Sequence, residues 1–270
     1  CPLRMVLRIA GGDLNAIVGL VGFAIGILCG VQFLKHGYSL KRTYTLPAVD
    51  GVWLSVVQVA LFGLLCAAPA FILFSEKGPG SMHAPIWISL IAGLVVGALA
   101  QRTRLCMVGG IRDVLLFQDW TLLSGFVAIL VAALAGNLVL NAVFGGYFSL
   151  GFMGQPVAHI DGVWNFLSMA AVGLGSVMLG GCPLRQLILA GEGNSDSAVT
   201  VAGYFVGAAF AHNFGLASAA TAVAEDGTIT GGPTAAGKLF TVIALIVLFV
   251  VAFLNTKATA AAGVKEPQRV

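Results

Sequence analysis

Residues 14–34 read LNAIVGLVGFAIGILCGVQFL, twenty-one positions without a single charge. At 1.5 Å of rise per residue, about 20 apolar residues in a helix cross the ~30 Å hydrocarbon core of a bilayer. Six further apolar windows follow, at 53–74, 85–100, 120–144, 163–180, 197–219 and 238–254. The whole chain of 270 residues agrees, being 59% apolar and 9% charged, where a soluble domain carries roughly 25% charged residues. Trp53, Trp87, Trp120 and Trp164 lie near the ends of these windows, where interfacial aromatics belong. The expected fold class is all-α: one integral membrane domain over 1–270 with about seven transmembrane helices. Composition excludes a soluble enzyme, a fibre and a disordered chain. A net charge of +3 without a Lys/Arg cluster excludes nucleic acid as a partner.

Three apolar segments, 1–12, 104–117 and 182–191, are too short to cross and carry arginine or sit beside glycines. Segments of this length are re-entrant or interfacial, and re-entrant backbone is tolerated only where protein or a water-lined cavity surrounds it. Short re-entrant helices are expected here, the alternative being amphipathic surface helices.

Two of the short segments are copies of one another. Cys1-Pro2-Leu3-Arg4 returns as Cys182-Pro183-Leu184-Arg185, and the match runs on without a gap at an offset of 181. Gly12 meets Gly193, Val18 meets Val199, Gly22 meets Gly203, Gly26 meets Gly207 and Phe33 meets Phe214. Each copy is a short segment followed by a span with a G-x-x-x-G face, which lets helix backbones approach closely. Five predicted spans lie between the copies, so the copies face opposite sides. An inverted-topology repeat on broken helices is a transporter architecture. Residues 1–76 read as the latter part of a first repeat and 77–270 as the second. Equivalent halves place a counterpart before Cys1, so the chain reads as N-terminally truncated in mid-motif. Lys35, Lys41 and Arg42, then Arg102, Arg104 and Arg112, then Arg185, then Lys257, Lys265 and Arg269 fall on one side by this count. That side reads as cytoplasmic, together with the C-terminus. Arg4 and Arg8 then lie on the opposite side, and they read as site residues in a re-entrant helix.

Proline is favoured at the first helical position, so Cys182-Pro183 reads as a helix start with Cys182 at the cap. Unpaired N–H groups and the positive dipole end there favour an anion, and the same field favours the thiolate. Gly180 and Gly181 permit close backbone approach. Cys1 opens the equivalent segment, and Cys106 stands beside Gly109, Gly110, Arg104 and Arg112. Charges at membrane depth cost about 2.5–3.5 kcal/mol each on insertion scales, so Arg4, Arg104, Arg112 and Arg185 mark a site. Interfacial anchoring is the competing reading for Arg102 and Arg104. Asp113, Glu192 and Asp196 are candidate partners for the arginines. His212 and Asn213 either line a path or make an interhelical hydrogen bond. Gln58, Asn137 and Asn141 read as interhelical contacts, Cys29 and Cys66 as packing, and His36, His83 and His159 as incidental loop residues. No C-x-x-C pair occurs among the five cysteines, so neither a disulfide framework nor a metal or cofactor site is expected.

The run from Gly180 to Asn194, with Ala211-His212-Asn213-Phe214-Gly215-Leu216 and the segment from Cys106 to Asp113, resembles the YeeE/YedE membrane family. It is similar to the YedE-type branch associated with selenium metabolism. The resemblance implies a transporter, not an enzyme, of a bacterial inner (plasma) membrane. It implies an hourglass of transmembrane and re-entrant helices whose central cysteines pass a small chalcogen anion, thiosulfate-like, by sulfur-to-sulfur hydrogen bonding. By motif those roles fall on Cys1, Cys106 and Cys182. It also implies a soluble TusA-like sulfur carrier as cytoplasmic partner. A membrane thiol enzyme or dock relaying sulfur or selenium to that carrier is the alternative.

Overall fold

The glycine register of residues 19–30 dictates close helix packing. In the computed structural model, which describes residues 2–40, 48–67, 71, 84–155, 157–223 and 229–261, the chain runs as follows. α1 (Pro2–Ala10) and α2 (Leu14–Lys35) precede α3 (Ala48–Ala67), α4 (Ile86–Arg102), α5 (Met107–Phe117) and α6 (Thr121–Phe144). Then come α7 (Gly162–Met178), α8 (Pro183–Gly191), α9 (Ser195–Asn213), a hairpin of β1 (Ala219–Val223) and β2 (Ile229–Gly232), and α10 (Ala235–Ala261). Each of the seven apolar windows contains a helix, and the three short segments are α1, α5 and α8. The chain is an all-α polytopic membrane protein.

Among the described residues, four stretches are long and apolar enough to span alone: Leu14–Lys35, Ile86–Phe117, Thr121–Phe144 and Ala235–Thr256. A fifth is added if the broken α7–α8 stretch counts as one. Among the described residues α3 contributes a shorter apolar stretch, Gly51–Ala67. In addition, α9 carries Ser195, Asp196, Ser197, His212 and Asn213 at its ends. The window drawn to residue 219 also overshoots. α9 ends at Asn213, Gly215 takes a left-handed φ of 64°, and Leu216 N–H closes on Ala211 O at 2.9 Å. The chain then enters β1, which pairs antiparallel with β2. An unbroken apolar composition concealed this glycine stop.

Contacts divide the chain into two compact units. Unit 1 comprises Cys1–Tyr44, Met107–Cys182 and Ala211–Val270; unit 2 comprises Thr45–Cys106 and Pro183–Phe210. In unit 1, α2 lies against α7 at backbone contact distance. A methyl group on Gly22 or Gly26 would overlap the carbonyl of Phe166 or Ala170, and one on Gly173 would overlap that of Phe23. Phe23, Ile27, Val31, Leu174 and Val177 are buried around this seam. Ile17, Val21, Ile25 and Leu28 form an exposed apolar stripe on α2, suited to lipid. α1 joins α6 through Asn137, whose Nδ2 donates to Ala10 O at 3.0 Å. Asn141 instead holds a loop, its Oδ1 accepting from Tyr147 N–H at 3.2 Å. That replaces the interhelical role expected of it. α10 joins the bundle through edge-on contacts of Phe33 with Phe249 and Phe253, centroids 6.0 and 6.1 Å apart.

In unit 2, α3 packs on α8 and α9 through Leu54, Ala190, Ala198 and Val201. Ser55 Oγ donates to Gly191 O at 3.0 Å. Gly51 meets the backbone of Gly193 so closely that no side chain fits.

The offset of 181 holds at the level of atoms. α1 and α8 share bounds under it, and α2 and α9 share a first residue. The turns between them match: Gly12 and Gly193 take φ of 96° and 91°. Gly12 N–H bonds Ile9 O at 2.9 Å, as Gly193 N–H bonds Ala190 O at 3.1 Å. The caps differ by one residue in their donor: Asp13 Oδ1 accepts from Asn15 N–H, two positions on, and Asn194 Oδ1 from Ser197 N–H, three positions on, both at 2.9 Å. The carbonyl taken by Asn137 on α1, Ala10, corresponds to the one taken by Ser55 on α8, Gly191. The copies differ at the glycine face, since nothing lies within 4 Å of a methyl placed on Gly203 or Gly207.

This difference is measurable. Gly26→Ala is expected to cost about 2 kcal/mol through forced separation of α2 and α7, lowering the thermal unfolding midpoint of the detergent-solubilised protein. Gly203→Ala, in open space, is expected to leave the midpoint unchanged or raise it.

Candidate functional site

The three short helices each begin one residue after a cysteine of the motif. For α8 the cause is local. Gly180 adopts a φ of 77°, Gly181 N–H returns to Ser176 O at 3.0 Å, and the chain turns sharply out of α7. Cys182 lands in the crook of that turn, only 1% exposed, and Pro183 starts the next helix. Gly181 is buried with it. Before α5 the device differs. Arg104 itself takes a left-handed φ of 53°, and Leu105 N–H closes on Ala100 O at 2.9 Å. Cys106 follows, 7% exposed. Arginine at such a backbone angle is uncommon, and the strain marks this turn. Gly109 and Gly110 are buried on α5, where a methyl on Gly110 would approach Leu123 N of α6 to 3.2 Å. Cys29, Cys66, Cys106 and Cys182 are in no disulfide. Cys29 is half-buried and Cys66 is exposed. Cys1 lies outside the described residues, as do Lys41, Arg42, His83, Lys265 and Arg269 of the sequence reading.

The arginines fall into two groups. Arg4 and Arg104 are exposed. Arg112 pairs with Asp113, Nε to Oδ1 2.9 Å, and Arg185 Nη1 donates to Gln101 Oε1 at 2.9 Å within unit 2. Both of these pairs are partly solvated, and such contacts are worth about 0–1 kcal/mol. The cations thus remain available to an anion at low cost. His212 and Asn213 are exposed at the end of α9. Among the described residues, no group of three His, Cys, Asp or Glu side chains is placed to hold a metal ion.

Arg8 behaves differently. Its Nη2 lies 2.5 Å and its Nε 2.7 Å from Asp13 Oδ2, and Asp13 is buried. The other carboxylate oxygen caps α2 and accepts from Asn15 Nδ2 at 3.1 Å. The same turn is pinned from the loop after α6: Gly151 N–H donates to Gly12 O and Leu14 N–H to Gly151 O, both at 3.1 Å. Arg8 is therefore a structural cation that locks the end of α1. Sequence reading missed Asp13 because a lone aspartate before a span reads as an ordinary cap. Its five-residue spacing from Arg8, around a glycine pair, was the available signal.

Residues 102–269, more than half of the chain, match the sequence model of a family described as sulphur transport. The chain belongs to the sulphur transport family. This agrees with the YeeE/YedE resemblance carried by its cysteine motifs. The family member is also similar to the thiosulfate transporter TsuA of Spirochaeta thermophila, 31% identical over 123 residues. That match spans 46% of this chain and 35% of the relative. No solved structure matches. The family-matched stretch contains Cys106 and Cys182 with their glycines and arginines.

The Arg8–Asp13 lock is separable from its cap. Asp13→Ala removes the cap and leaves a half-buried guanidinium without its carboxylate, with an expected cost of about 2–4 kcal/mol. Asp13→Asn keeps the cap, as Asn194 does in the second copy, and isolates the ion pair. Arg8→Met combined with Asp13→Asn is expected to recover most of the loss in thermal unfolding.

Proposed function

We propose that this sulphur transport family member carries a small sulfur-containing anion, thiosulfate-like, across a bacterial inner membrane through a path lined by cysteine thiols. The observation that carries the reading is the seat of Cys182: a buried thiol held behind a glycine turn at the start of a proline-initiated helix. Backbone N–H groups at that helix start attract an anion. The S–H group is a soft, weak donor that suits a terminal sulfur or selenium atom. Sulfate offers only oxygen to the same group, and selection of chalcogen anions over sulfate follows. Cys106, before α5, is a second station of the same design, and Cys1 is a third by the repeat. Arg4, Arg104, Arg112 and Arg185 supply long-range attraction, with His212 and Asn213 at the end of α9 as polar contacts. Buried Gly109, Gly110 and Gly181 let the anion approach backbone.

The two copies, 1–76 as part of one repeat and 77–270 as the other, are inverted in this reading, with the C-terminus cytoplasmic. A soluble TusA-like carrier receives the sulfur or selenium species on that side.

The test is uptake of labelled thiosulfate into vesicles holding the full-length protein. Cys182→Ala and Cys106→Ala are each expected to reduce uptake at least about tenfold, the equivalent of 1.4 kcal/mol in binding. Labelled selenium analogues are expected to be taken up and labelled sulfate is not. Undiminished uptake in both variants overturns the thiol path. Absence of flux together with a persulfide trapped on Cys182 overturns transport in favour of a membrane thiol relay.

A further inference from the structure

At the end of unit 1 where α1 stops and α2, α7 and α10 begin, one titratable group lacks a partner. The backbone of residues 158–160 is tied on three sides. Thr221 N–H of β1 donates to Ala158 O at 2.9 Å, Ile160 N–H donates to Thr221 Oγ1 at 3.2 Å, and Asn165 Nδ2 of α7 donates to His159 O at 2.9 Å. The imidazole held by this frame has a solvent-inaccessible Nδ1 with no hydrogen-bond partner among the described residues. Buried polar atoms are nearly always satisfied, and an exception points to strain, to a functional role or to a bound water or ion.

The neighbouring charges divide into fixed and exchangeable. Arg8, from α1, is locked to Asp13 at the cap of α2. Lys238, from α10, is held loosely. Its Nζ lies 3.5 Å from Asp161 Oδ2 with both side chains over a third exposed, and 5.5 Å from the centre of the Trp164 ring. A solvated pair of this kind yields readily to a better anion, while the ring keeps the ammonium in place. Burial holds His159 below its ordinary 6.5; Asp161 opposes that, and Arg8 and Lys238 reinforce it.

We propose that His159 and Lys238 form a recruitment site for a divalent oxyanion, in which anion binding is accompanied by uptake of one proton from solvent onto His159. The proposal rests on the anion-transport reading above but uses none of its thiols. An anion beside the ring turns the unpartnered nitrogen into a charge-assisted donor and releases Lys238 from Asp161. No covalent bond is made or broken besides N–H, and the proton comes from water. Because an imidazole and an ammonium recognise charge rather than sulfur, the site takes sulfate as well as thiosulfate; discrimination belongs further along. Linkage sets the sign. The free group titrates below 6.5 and the anion-bound group higher, so between the two values affinity rises up to about tenfold per unit fall in pH.

Titration calorimetry of thiosulfate and of sulfate into the full-length protein in nanodiscs, from pH 5.5 to 7.5 in two buffers of different ionisation enthalpy, reads both affinity and protons taken up. The wild type is expected to bind both anions more tightly at low pH with proton uptake. His159→Gln is expected to bind without pH dependence or proton uptake. Lys238→Met, which keeps the stem over Trp164, is expected to bind several-fold more weakly and keep the proton signature. An unchanged proton count and pH profile in His159→Gln, for protein that remains monodisperse, overturns the proposal. So does Lys238→Met binding as tightly as wild type. A wild type that binds both anions in this pH-dependent way yet transports neither supports the recruitment site and overturns the transport reading alone.

Discussion

The close approach of α2 to α7 is the constraint on which unit 1 depends. A bilayer offers little hydrophobic drive between helices, since lipid tails are as apolar as leucine. Association comes from surface matching, and here the surfaces are backbone. Gly22 and Gly26 admit the carbonyls of Phe166 and Ala170, and Gly173 admits that of Phe23. Contact at this range fixes the axial register of the two helices. The N-terminus of α2 is thereby fixed relative to that of α7, and so are Asp13 and Asp161, the residues that precede each. The polar end of the unit is aligned by an apolar seam several turns away.

The short helices solve a related problem. A helix that stops leaves N–H and C=O groups unsatisfied at its end. The turn after α1 answers this with Gly12, the Asp13 cap, the Asn137 amide on Ala10 O and the loop around Gly151. The turn after α8 answers it with Gly193, the Asn194 cap and the Ser55 hydroxyl on Gly191 O. Partners recruited from α6 and from α3 occupy equivalent places without being related by the offset. Broken helices persist because neighbouring elements complete their hydrogen bonds.

Much of this is legible in residue order. Windows free of charge declare the helices. Pro2 and Pro183 declare the starts of α1 and α8, and the 181-residue offset places glycines at the same left-handed turn. The β1–β2 hairpin was hidden because alanine, threonine and valine around it continue the apolar signal of α9. The roles of Asp13 and His159 were hidden for another reason. A local cap and a loop histidine are ordinary in sequence, and only tertiary neighbours such as Arg8, Thr221 and Lys238 give them a function. The cysteines were legible by motif, while the left-handed Arg104 before Cys106 was not, since nothing in composition reports a strained φ.

The matched turns differ chemically at the cap. Position 13 holds a carboxylate and its counterpart, position 194, holds an amide, with the capping distance unchanged. The two side chains have nearly the same size and shape, so the backbone is indifferent to the exchange. The electrostatics are not: one turn holds an ion pair with Arg8, and the other has Leu189 in that arginine's place. Replacing one atom group breaks the equivalence of the two turns without disturbing either helix that it joins.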